Sequence, residues 1–153
     1  MMHTGQYIDE RVVDMLPKEL INKIYLGDTG CTAIHINFWL QEIKIHTTGI
    51  RLNLLRPNSW EYEKSINNAC LVFSEVETYS INPYGVFASD YIENFYIDST
   101  EQNQNGKHSY SFVLEVGYTM NSDMSEQGLV TISVKSCQFW IEDPLHPGIR
   151  ITE

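Results

Sequence analysis

The sequence predicts a mainly β domain: about eight strands in an antiparallel meander, a sandwich or a partly closed barrel, with one short N-terminal helix. Three observations carry this. Apolar residues recur at every second position through most of the chain, the period of a half-buried strand. Fifteen of the 18 aromatic residues are Tyr or Phe, which suit pleated surfaces better than helix interiors. Turn residues, among them Asn82-Pro83-Tyr84-Gly85 and Asn105-Gly106, punctuate the apolar runs.

The elements follow in order. Residues 14–24 place Leu16, Leu20 and Ile24 four apart, with Pro17 suited to a first helical turn. This spacing predicts the helix. The period then changes to two: Ile34, Ile36, Phe38 and Leu40 alternate with His35, Asn37 and Trp39. Ile43 and Ile45 continue the pattern, and Ile50, Leu52 and Leu54 resume it after Thr48-Gly49. Three strands joined by short turns are expected. Residues 56–69 read as a polar connection, and residues 70–81 return to strand. A further strand is expected over residues 91–97, followed by a polar loop over residues 99–108.

The clearest strand covers residues 110–120, with Tyr110, Phe112, Leu114, Val116, Tyr118 and Met120 on one face. Val130, Ile132 and Val134 make another. The apolar parity then flips to Cys137, Phe139 and Ile141, which predicts a bulge at Lys135-Ser136. Neither an internal repeat nor a linker divides the chain, so residues 1–153 are read as one domain with its core over about residues 14–144. At 153 residues, 42% hydrophobic and 20% charged, such a domain buries roughly two-thirds of its unfolded surface.

No stretch approaches the length of a membrane span, and the N-terminal residues lack a basic patch followed by an apolar run. A cytoplasmic location without membrane contact is expected. Cys31, Cys70 and Cys137 are scattered and form no C-x-x-C pair, so reduced thiols are expected, and neither a metal nor a cofactor is.

The net charge is −10. Residues 1–58 balance six acidic against six basic groups, whereas residues 59–101 carry eight acidic groups against Lys64 alone. Such a surface repels nucleic acid, whose binding needs Lys and Arg to neutralise phosphates. It steers a basic protein inward. Within it, Trp60, Glu61, Tyr62 and Glu63 alternate aromatics with carboxylates, and Glu75 and Glu77 are placed by a regular strand on one face. These six are the candidate partner-binding residues.

Catalytic motifs are few. The five histidines show no metal-binding spacing, and no G-x-S-x-G or phosphate-loop pattern occurs. Asp28-Thr29-Gly30 resembles the active-site loop of aspartic proteases, in which two aspartates share a proton across a dimer. The surroundings depart from that family. Gly27 precedes the aspartate, Cys31 follows the glycine, and Glu115-Val116-Gly117, the nearest match to the packing segment, lies inside a long strand. The triplet is read as a turn whose Asp side chain bonds nearby backbone N–H groups, and no catalytic residue is assigned.

Tyr25-Leu26-Gly27-Asp28, Leu71-Val72-Phe73 leading to Val76, Asp90-Tyr91-Ile92 and Ile141-Glu142-Asp143-Pro144 together resemble a group of short, uncharacterised bacterial proteins over residues 16–144. The resemblance implies no activity and transfers no functional residue. Its small acidic chains are similar in character to immunity proteins of bacterial toxin systems. The expectation is a non-enzymatic protein-binding domain, immunity-like, that offers its acidic surface to a basic partner. The alternatives are a self-associating homodimer and a small-ligand-binding β domain.

Overall fold

The computed structural model describes residues 17–52, 64–102, 104–119 and 127–146. A helix α1 (Pro17–Ile21) precedes nine strands: β1 (Ile24–Tyr25), β2 (Cys31–Asn37), β3 (Glu42–Thr47), β4 (Gly49–Leu52), β5 (Lys64–Asn67), β6 (Cys70–Asn82), β7 (Ile92–Gln102), β8 (His108–Thr119) and β9 (Gln127–Glu142). All pairings are antiparallel. Six strands form one sheet in the order β2-β3-β6-β9-β8-β7, and β1-β4-β5 form a second.

The large sheet curls. Phe73, Phe139, Phe112 and Phe95 stand one each on the adjacent strands β6, β9, β8 and β7. In a flat sheet β6 and β7 would lie about 14 Å apart, three steps of about 4.8 Å. Yet the rings of Phe73 and Phe95 meet at 6.2 Å, and those of Phe73 and Phe112 at 4.9 Å. The curl brings the two edges together at a single bridge, Gly30 to Tyr91, where the Ile92 N–H donates to the Thr29 carbonyl at 2.7 Å. The sheet does not close into a barrel. Ile50, Leu52 and Ile66 of the small sheet, with Leu20 of α1, join the same buried cluster as the four-ring stack.

Several sequence expectations change. Thr48-Gly49 is a corner, not a hairpin turn: β3 leaves the large sheet and continues as β4 in the small one, while β5 continues into β6 opposite. Thr47 pins the corner, its hydroxyl donating to the Ala69 carbonyl at 2.7 Å. Residues 64–67, read as part of a polar connection, form β5. β7 runs on to Gln102, past the expected loop boundary. Phe38 and Leu40 do not continue a strand, because residues 38–41 form the turn between β2 and β3. Finally, β9 runs unbroken through Lys135 and Ser136. The extra residue lies on the partner, where the ladder shifts between Val76 and Thr78 of β6, and Glu75 sits at φ 52°.

Candidate functional site

Trp60, Glu61, Tyr62 and Glu63 lie outside the described residues. Glu75 and Glu77 lie where β6 is irregular, so the two-residue alternation that put them on one face is interrupted. Each meets a lysine. Lys107 pairs with Glu75, and Lys135 reaches both Glu77 at 3.5 Å and Glu101 at 2.7 Å. The hydrogen bond to Glu101 raises Lys135 above the ordinary ammonium value, and the bond to Glu75 does the same for Lys107. The second oxygen of Glu75 is buried without a partner among the described residues. These two glutamates are therefore partly neutralised by their own fold.

The acidic surface that remains open lies on β7. As an edge strand it pairs with β8 alone. Its ladder shifts between Ile92 and Asn94 and again between Ile97 and Ser99, and such bulges twist an edge away from pairing with another chain. Ile92, Phe95 and Ile97 turn toward the core. Glu93, Tyr96 and Asp98 are exposed, as are Asp90 and Tyr91 just before the strand. Asp90 accepts a hydrogen bond from the Tyr91 N–H at 2.8 Å. Asp90, Glu93 and Asp98 make no ion pair among the described residues. Carboxylates interleaved with tyrosines on an open strand can pair with Lys and Arg and offer ring faces to the same cations.

Among the described residues no comparable arrangement supports catalysis. Asp28 is exposed at φ 58° in a turn. It is Thr29, not Asp28, whose side chain holds that turn, donating to the Gly49 carbonyl at 3.0 Å, while the Gly30 N–H donates to the Thr48 hydroxyl at 3.0 Å. The Asp-Thr-Gly triplet thus ties the start of β2 to the corner between the sheets.

Register does create one pair that the sequence concealed. Cys70 and His46 are in register on β6 and β3, with Sγ and Nδ1 at 3.2 Å. Burial raises the Cys70 thiol, and Glu142, opposite it on β9, raises it further. Burial and the raised thiol both lower the share of thiolate, the form that acts as a nucleophile. Among the described residues no group of three His, Cys, Asp or Glu is placed to hold a metal. Nor is any helix among them long and apolar enough to cross a membrane.

A second surface escaped the sequence reading. Phe38, Trp39 and Leu40 project from the β2–β3 turn, Trp39 at 93% exposure. The signal was Asn37, whose side-chain oxygen accepts from the Leu40 N–H at 3.0 Å and starts the turn. A groove of about 510 Å³ lies at the other end of β2, walled by Cys31, Ala33, Ile34, Ile81, Val86 and Val130.

Neither the curated proteins nor the solved structures contain a match to the chain. A family model does match it, over residues 15–153, and the chain therefore belongs to a family of unknown function, DUF6258.

Proposed function

We propose that the chain is a non-enzymatic protein-binding domain that receives a basic partner on the acidic edge strand β7, as an immunity-type inhibitor would. The observation that carries this reading is the charge on β6, β7 and their connection. Residues 65–106 hold six carboxylates and no Lys or Arg. Lys107 and Lys135 answer Glu75, Glu77 and Glu101, and leave Asp90, Glu93 and Asp98 facing solvent with Tyr91 and Tyr96 among them. A surface of one sign raises the association rate of an oppositely charged protein and loses that effect as salt screens it.

The test is affinity capture from native lysate at low salt, run in parallel with a Glu93→Lys/Asp98→Lys variant. A basic protein that the native chain retains, that salt releases, and that the variant binds at least ten times more slowly supports the reading. Equal retention by both chains overturns it.

A further inference from the structure

We propose that two copies of this chain associate about a two-fold axis through β2, each inserting its Phe38-Trp39-Leu40 turn into the other's groove. β2 is the second edge of the large sheet, and apart from one shift of its ladder between Cys31 and Ala33 it lacks the features that protect β7. From Thr29 to Gln41 there is no Asp, Glu, Lys or Arg, in a chain with 30 charged residues and a net charge of −10. Between Ala33 and Asn37 the strand is free of bulges. It pairs with β3 only, so its outer N–H and C=O groups face away from the sheet. Edges of this kind accept another strand.

The choice of a second copy as occupant rests on two features. The first is charge. Two chains that each carry −10 repel wherever acidic surfaces meet, and approach across β7 would oppose Glu93, Asp98 and Glu101 to one another. Across β2 no such pair arises. The second is shape. Four consecutive residues, Cys31 to Ile34, line the groove. Cys31 and Ile34 pack toward the core while Thr32 and Ala33 are exposed, so both faces of β2 contribute and the groove reaches its free edge. It occupies one half of β2, and the exposed aromatic turn follows the other half. An isologous interface repeats each contact with the roles exchanged. A two-fold axis at His35, the midpoint of the bulge-free run, sets residue 37 opposite residue 33, and the turn that follows residue 37 comes beside the partner's residues 31–33. Each Trp39 thereby reaches the mouth of the partner's groove. At about 510 Å³ that groove falls within the roughly 300–1,000 Å³ range of sites that enclose ligand-sized groups. Exposed Tyr84 and Phe87 flank it. β7 stays outside this interface, so the dimer would offer two acidic edges.

Sedimentation equilibrium of the full chain tests this. The expected result is a species of twice 17.7 kDa at micromolar concentration. His35→Lys places like charges at the axis, and Trp39→Ala removes the inserted ring. Both positions are exposed, so each variant should keep the native circular dichroism spectrum while the dimer dissociates at least tenfold more readily. A native chain that is monomeric at 100 micromolar, or a dimer that neither variant weakens, overturns the proposal. Either failure leaves the reading of β7 to its own test, since none of these variants touches that strand.

Discussion

Phe73 is 1% exposed and its ring contacts those of Phe95, Phe112 and Phe139. Removing it opens a cavity bordered by rings from three other strands. Phe73→Ala should therefore destabilise the protein by about 3–5 kcal/mol, a large part of the total of about 5–15 kcal/mol typical of such domains. Urea unfolding followed by circular dichroism would show it as a lower midpoint with an unchanged slope. Individual residues were readable from the sequence where burial alone set their role, as at Phe112 and Leu114, whose positions on the inward face follow from strict alternation. Asp28 and Glu75 were not. Both have positive φ, and at such positions local backbone geometry, not the period of two, decides where the side chain goes.

At the scale of elements, alternation located β2, β3, β4, β6, β8 and β9 and missed the short strands. β1 has two residues and β5, Lys64-Ser65-Ile66-Asn67, has one apolar residue, so neither displays a period. The corner at Thr48-Gly49 was read as a turn because a bend between sheets and a hairpin draw on the same residues. Thr47 distinguishes them after the fact. It is buried, and its hydroxyl and N–H both donate to the Ala69 carbonyl, at 2.7 and 3.1 Å. Thr47→Val removes one of these bonds and leaves the carbonyl satisfied by the other, so a loss of about 1 kcal/mol is expected. A change within 0.3 kcal/mol in denaturant titration would show that the corner is held by packing alone. The proposed interaction surfaces were half readable. Charge counting found the acidic stretch, but only pairing revealed that Glu75, Glu77 and Glu101 are answered by lysines while Glu93 and Asp98 of β7 are not.

For the molecule as a whole, stability should decline in alkali. Burial raises the thiols of Cys31 and Cys70 above their ordinary value of 9.0. Above that value the unfolded chain sheds protons that the folded chain still holds, so stability falls as pH rises past about 9. Lys44 adds to the decline at higher pH. Burial pulls its ammonium down, but the hydrogen bond to Glu142 and the negative charges of Glu142 and Glu42 together outweigh this and leave it raised from 10.5. The contribution of Lys44 is thus complete below 10.5 and is lost as pH climbs through the raised value. Urea midpoints at pH 7.5, 9 and 10 should fall in sequence, and more steeply for the native chain than for Cys31→Ala/Cys70→Ala. Parallel curves for the two proteins would rule out Cys31 and Cys70 as the cause.

The pairing of β6 with β9 also governs how the chain can be made. Even the nearest residues of that ladder, Asn82 and Thr131, are 49 positions apart in sequence. At a synthesis rate of about 5–20 residues per second, β6 has emerged from the ribosome for roughly 2–10 s before the first of its β9 partners exists. Throughout that interval its apolar start, Cys70 to Phe73, has β3 on one side and water on the other. The nascent chain carries this apolar segment half-paired until β9 has emerged, and a chaperone that shields it would act in that window.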